Sequence, residues 1–145
     1  MDYLARREHS FFELLQKLTR RFPEEAESRL RMIIQQLADE GLQSDLRFVE
    51  SYVYFRRQRG FGPAHIRSSL RTRGVTDSLV NQVLFEDDDA WLHGAKALVA
   101  ARLPHEQTAL LFGSREHQKL HRLLQSRGFS SATIRQVLDP LLEHV

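Results

Sequence analysis

LRTRGVTDSLVNQVL, running from Leu70 to Leu84, is answered 54 residues later by LQSRGFSSATIRQVL, from Leu124 to Leu138. Leu70, Arg73, Gly74, Gln82, Val83 and Leu84 recur without a gap as Leu124, Arg127, Gly128, Gln136, Val137 and Leu138. Val75 and Phe129 match as the apolar residue after the glycine, and Thr76 and Ser130 match as hydroxyl residues two places on. Each copy reads as a helix stopped by glycine, followed by a helix whose hydroxyl cap accepts from otherwise unpaired first-turn amides. A helix-turn-helix unit duplicated at a fixed offset predicts a repeat architecture.

Outward from this pair the same punctuation continues. Ser10-Phe11-Phe12-Glu13 is a capping box, in which Ser10 accepts from the third amide and Glu13 reaches back to the Ser10 N–H. The helix it opens carries Leu14, Leu15 and Leu18 inward and ends near Phe22. Pro23 suits the first turn of the next helix, whose Leu30, Ile33, Ile34 and Leu37 follow a helical period up to about Glu40 and the stop at Gly41. Ser44 or Asp45 caps a further helix with Phe48, Tyr52 and Phe55 as its core stripe and Tyr54 exposed, closed by Gly60. A helix from Pro63 to Arg73 comes next, then a short one through Leu79, Val80, Val83 and Leu84. The acidic run Glu86 to Asp89 favours the N-terminus of a helix through Trp91, Ala95, Leu98 and Val99, ended by Pro104. Residues 105–113 read as a loop. Ser114 and Ser130 or Ser131 cap the last two helices, the second of which Pro140 kinks or shortens.

No stretch alternates with period two for long enough to make a strand. The reading is therefore all-α: three tandem three-helix, helix-turn-helix-like repeats over 1–43, 44–88 and 89–145, forming an elongated, curved molecule. The first repeat is looser, with the Pro23 junction in place of a glycine turn.

Composition bounds the function. The 145 residues carry 28% charged side chains and a formal net charge of +2, as in a globular, soluble chain. There is no cysteine, which excludes disulfides and thiolate metal sites. No apolar run approaches a signal peptide or membrane span, so a cytoplasmic protein is expected. Among 21 basic residues only Lys17, Lys96 and Lys119 are lysines. Arginine's planar fork suits carboxylate or phosphate, which points to a protein interface or a nucleic-acid backbone.

Catalytic signals are missing: there is no phosphate-cradling glycine loop, paired-carboxylate motif or triad. No cofactor is expected. His9 reads as structural, and His117 and His121, one turn apart, lack an evident third metal ligand. Arg56, Arg57, Arg59, Arg67, Arg71 and Arg73 concentrate positive charge in the second repeat and form the best binding surface, although several also suit helix C-termini. A sequence-specific DNA reader is disfavoured, because Asp77 to Phe85, in the place of a recognition helix, has Asn81 and Gln82 but no arginine or lysine.

Several of these motifs together resemble the RecX family. Arg7-Glu8-His9-Ser10 followed by Glu13-Leu14 and Lys17-Leu18 matches the family's first unit. Gly41-Leu42, Asp45, Arg47-Phe48, Arg56, Gly60-Phe61-Gly62, Ile66, Leu70 and Gly74-Val75 match the second, and Arg127-Gly128-Phe129 matches the third. The sequence departs at Gln43-Ser44, where the family tends to have an apolar and an acidic residue, and its helix before Arg6 is short. The resemblance implies a non-enzymatic inhibitor that lies along the helical groove of a RecA filament, damps ATPase and strand exchange, and favours disassembly. On that reading the six arginines of the second repeat, with Arg6, Arg7, Arg122, Arg127 and Arg135, face acidic groups on RecA or on the single- or double-stranded DNA it encloses. A monomer is expected. Direct, mainly nonspecific DNA binding is the alternative.

Overall fold

A computed structural model describes residues 7–85, 89–103 and 109–143. Eight α-helices account for most of them: α1 Phe11–Arg21, α2 Glu27–Asp39, α3 Asp45–Gln58, α4 Pro63–Thr72, α5 Asp77–Val83, α6 Asp89–Arg102, α7 Arg115–Ser126 and α8 Ser131–Leu138. The fold is all-α, and the helix ends follow the caps. Ser10 accepts from the Glu13 amide while Glu13 accepts from the Ser10 amide, so the capping box is closed in both directions. Ser44 is the cap of α3, its hydroxyl 3.2 Å from the Arg47 nitrogen. Thr76 and Ser130, the matched hydroxyls of the repeat, accept from Leu79 at 3.3 Å and Thr133 at 3.1 Å. Ser114 does the same for α7. At the end of α2, the Leu42 amide turns back onto the Leu37 carbonyl at 2.8 Å, the closure a following glycine permits.

Four readings need correction. Pro23 is not in the first turn of α2. It sits in a separate turn closed by the Glu25 amide on the Phe22 carbonyl, and α2 starts only at Glu27. Ile33 is exposed, leaving Leu30 and Ile34 as the buried line of α2. The apolar face of α3 runs through Phe48, Val49 and Val53, with Tyr52 half-buried and Phe55 61% exposed. Finally, two short strands exist: β1 Leu110–Leu111 pairs in parallel with β2 Leu142–Glu143. Two-residue strands leave no alternation to read. They form because the buried Leu110 brings irregular backbone to the core, where its polar groups need partners. Pro140 lies in the 3-10 turn Asp139–Leu141 that follows α8, as a helix-stopping proline should. Glu86 to Asp88 and Pro104 lie outside the described residues, while Asp89 opens α6.

The chain packs as two compact units. One comprises the described residues up to Val53 with Ser69–Val83, and the other Tyr54–Ser68 with the chain from Leu84 onward. Thus α3 gives Asp45 to Val53 to one unit and the rest to the other, and its buried stripe ends at Val53. In the first unit Leu14, Leu15, Leu18, Leu30 and Ile34 form one cluster with Phe11 against it. In the second, Trp91, Ala95 and Val99 of α6 are buried, as are Leu120 and Leu124 of α7 and Ile134, Val137 and Leu138 of α8. The Trp91 indole N–H donates to the Phe85 carbonyl at 2.7 Å.

The two Arg-Gly turns of the repeat are each held from the side. In the first unit the Ser10 hydroxyl donates to the Arg73 carbonyl at 2.8 Å, and Gly74 lies against Phe12 so closely that a Cβ there would overlap the ring. In the second unit the Gly62 amide donates to the Arg127 carbonyl at 2.6 Å and the Ala64 amide to the Gly128 carbonyl at 3.1 Å. A Cβ on Gly62 would stand 2.7 Å from the Gly128 carbonyl, and one on Gly128, at φ 92°, would meet the His65 backbone. Gly62→Ala and Gly128→Ala should each lower stability by about 2 kcal/mol or more through overpacking. Gly113→Ala, at φ 73° but facing open space, should cost about 1 kcal/mol. Urea midpoints at constant m-value measure the difference; equal losses at all three glycines would mean that backbone approach is not the constraint.

Candidate partner-binding surface

The family-like stretch Arg7-Glu8-His9-Ser10 is folded inward. His9 is 1% exposed and Ser10 fully buried. His9 Nδ1 lies 3.0 Å from the Arg7 carbonyl and Nε2 lies 2.9 Å from the Lys17 ammonium. A carbonyl only accepts and an ammonium only donates, so the fitting tautomer is neutral, with its proton on Nδ1. Burial, then the nearby Arg7 charge, holds the imidazole below its ordinary pKa of 6.5, although its bond to the Arg7 backbone works the other way. The buried Gln43 amide donates to the His9 carbonyl at 3.3 Å and to Asp45 at 2.9 Å, and Asp45 accepts from the Phe11 amide at 2.8 Å. Gln43 thus fills its position by bridging two segments of the first unit. Glu8 pairs with Arg47 at 2.9 Å.

The arginines divide into those engaged internally and those presented outward. Arg7 pairs with Glu13 at 3.1 Å. Arg73 lies 3.7 Å from the same carboxylate, stacks over Tyr52 at 4.9 Å and donates to the Ser69 carbonyl. Burial raises the Glu13 carboxyl, but the bonds from Arg7 and the Ser10 amide, with the positive charge around it, leave it below its usual range. Glu13 is the acidic hub of the first unit, a role the capping motif alone did not reveal. Arg71 pairs with Asp77 at 3.2 Å, both well exposed, a contact worth at most about 1 kcal/mol and readily exchanged for another. Arg67 is half-buried on α4, while Arg122 on α7 and Arg135 on α8 are exposed. Arg6 lies outside the described residues.

The second unit brings four of the predicted arginines together around the Gly60-Phe61-Gly62 turn. The guanidiniums of Arg127 and Arg56 lie 4.8 and 5.3 Å from the Phe61 ring centre, and Phe61 stacks on His65 at 4.3 Å. Arg127 also donates to the Arg59 carbonyl at 3.1 Å. Arg57 lies 4.3 Å above the Trp91 ring. Stacking of this kind fixes the guanidinium planes. Burial first, and then the charges of Arg56 and Arg127, lower the pKa of His65. Beside the turn runs a groove of about 430 Å³, lined by Arg57, Arg59 and His93 together with the small residues Ala90, Gly94 and Ala97. Gly94 has nothing within 4 Å of where a Cβ would be, so a partner's backbone can come close. This groove was missed in the sequence, where the small residues at 90, 94 and 97 are its one signal.

His117 is occupied locally, its Nδ1 accepting from the Gly113 amide at 2.9 Å. Among the described residues no group of three or more His, Asp or Glu side chains is placed to hold a metal ion. Among the same residues no helix is long and apolar enough to cross a membrane.

The profile of the second three-helix domain of RecX matches residues 44–84, from the cap of α3 to the end of α5. A regulatory protein RecX from Halorhodospira halophila is 38% identical over 132 residues, which cover 91% of this chain and 79% of that protein. The chain belongs to the RecX family. The RecX of Chromohalobacter salexigens is likewise 38% identical, over 140 residues, covering 93% of this chain and 85% of its own. The crystal structure of RecX from Lactobacillus salivarius superposes with a TM-score of 0.76 at 25% identity, covering 97% of this chain and 90% of that one. These relatives are named regulatory proteins, and the role of the chain is regulatory. The RecX-like motifs of the first unit are buried or paired within that unit, whereas Arg56 and Arg127 of the second lie against Phe61.

Two measurements check the inward-facing motif. Ser10→Ala removes a helix cap and leaves the Arg73 carbonyl without this donor, and should destabilise by about 2 kcal/mol in urea denaturation. The histidine effect has a definite sign. Because His9 and His65 resist protonation when folded, the unfolded chain binds more protons just below pH 6.5, so stability is present above that value and is lost as pH falls through it. His9→Gln should flatten part of that slope in melting curves taken across the same pH range; a slope identical to the parent's would show that His9 does not contribute.

Proposed function

We propose that this chain is a negative regulator of RecA recombinase that binds the RecA–DNA filament along its helical groove and inhibits ATPase and strand exchange, modulating homologous recombination and DNA repair. On this reading it works as a cytoplasmic monomer of three tandem three-helix repeats, 1–43, 44–88 and 89–145, without catalytic chemistry of its own. The observation that supports it is the arginine cluster of the second unit. Arg59 and Arg127 meet no carboxylate among the described residues, and Arg127 is oriented by Phe61 and by the Arg59 carbonyl. A guanidinium oriented like that of Arg127 suits the carboxylates of a protein surface or the phosphates of enclosed DNA.

The test is the rate of ATP hydrolysis by RecA on single-stranded DNA with increasing amounts of the protein, beside the protein on DNA alone. Inhibition is expected at amounts well below those that coat the DNA. Arg59→Ala, exposed at the end of α3, should raise the amount needed about tenfold, the loss expected for one charge-assisted contact. Full inhibition by that variant removes the cluster from the interface. Unchanged hydrolysis together with strong, salt-sensitive DNA binding favours the second reading, direct nonspecific binding through the same stacked guanidiniums.

A further inference from the structure

Elsewhere in the second unit, the end of α6 and one side of α7 enclose a groove of about 680 Å³. Its apolar surface comes from Leu103, Leu120 and Leu123, and its cations from Arg102, Lys119 and Arg122. Leu103 and Leu123 are only half-buried, so the groove leaves leucine surface in water. None of the three cations meets a carboxylate among the described residues; Glu116, on the same wall, pairs with none of them. Arg102 has a local reason to be there, since it closes the last turn of α6. Lys119 and Arg122 stand in the body of α7, where no such reason applies.

Two features lying together restrict what fits. Leucine surface rewards an apolar partner, while cations from both helices reward an anionic one. A phosphate backbone would answer the charge and leave the leucines wet. A lipid surface would not enter a concave groove between two helices. From Glu116 to Ser126, α7 lines the groove over about 15 Å, which matches about three turns of a helix laid beside it. We propose that this groove docks an acidic amphipathic helix of a partner protein, with its apolar residues at i, i+3, i+4 and i+7 against Leu103, Leu120 and Leu123 and its carboxylates against Arg102, Lys119 and Arg122. Recognition would be of the helix-in-groove kind, with the leucines giving affinity and the cations giving selection and register. The site uses none of the Phe61 arginine cluster and shares only Arg122 with the arginines expected to face RecA; the variants below leave Arg122 in place, so the two readings fail separately.

Fluorescence anisotropy of the full chain tests this with a labelled peptide of about fifteen residues, leucines on one helical face and glutamates elsewhere. Two controls replace the glutamates by lysines or move the leucines off a common face. The proposal expects the first peptide to bind, both controls to fail, and salt to weaken binding. Arg102→Glu with Lys119→Glu should raise Kd about tenfold or more, since each substitution replaces an attraction by a repulsion. If the double variant loses helical circular dichroism, Lys119→Glu alone, on the exposed side of α7, is read instead, with a smaller loss in the same direction. Equal binding of the off-face peptide, equal binding by the variants, or displacement of the peptide by a single-stranded DNA oligomer from the parent protein and not from the variants would overturn the proposal. The last outcome would make the groove a phosphate surface. A concentration-dependent rise in sedimentation coefficient that the same variants abolish would assign it to a second copy of the chain.

Discussion

Everything in the second unit is arranged about one backbone pairing, the Gly62 and Ala64 amides on the Arg127 and Gly128 carbonyls. Helix C-termini leave carbonyls unpaired, and a buried carbonyl without a donor costs about 1–3 kcal/mol. Here the donors come from the turn that opens α4, a segment more than sixty residues earlier in the chain. Backbone can approach backbone this closely only if neither side carries a Cβ, which is why both positions are glycine. The first unit meets the same need differently. Its Arg73 carbonyl takes the Ser10 hydroxyl, and only a glycine, Gly74, leaves room for Phe12 against the turn. Each Arg-Gly turn is thus both the end of one helix and the socket for the start of another.

This double use accounts for the buried polar residues. Ser10 caps α1 through its acceptor lone pairs and ties down Arg73 through its hydroxyl proton. Gln43 and Asp45 join the residues before α1 to the start of α3. Such groups are stable inside only when their hydrogen-bonding capacity is met. His9, Ser10 and Gln43 are the buried polar side chains of the described core, and each has named partners.

Local chemistry explains why so much of this was legible beforehand. Ser10 with Glu13, Thr76, Ser114 and Ser130 announce helix starts because capping acts within three residues. Gly74 and Gly128 announce stops for the same reason. The errors fall where a distant partner decides. Phe55 carries the period of α3, but the helix passes from one unit to the other after Val53 and Phe55 is left exposed. Pro23 was compatible with a first turn and is used in a separate one. Leu110 needed Leu142 to become a strand. Among the site residues, Arg7 and Arg73 looked like any other exposed base until Glu13 was placed between them, whereas Arg59 and Arg127 meet no such acid among the described residues.

The choice of arginine over lysine follows from what the side chain does in these places. At Arg127 one guanidinium donates to the Arg59 carbonyl and lies against Phe61; at Arg73 one donates to Ser69, stacks on Tyr52 and approaches Glu13. A planar group with five donors can serve a ring and a carbonyl at once, which a compact ammonium cannot. The repeated Arg-Gly pair is therefore a structural device first, with the glycine admitting a neighbour and the arginine bracing it. What separates the two copies is charge. Where an acid completes the brace, as in the first unit, the positive charge is answered within the chain. Where an aromatic ring and a carbonyl complete it, as at Arg127, the guanidinium is held in place but meets no carboxylate among the described residues, and a cation held in place is what an acidic partner binds at least entropic cost.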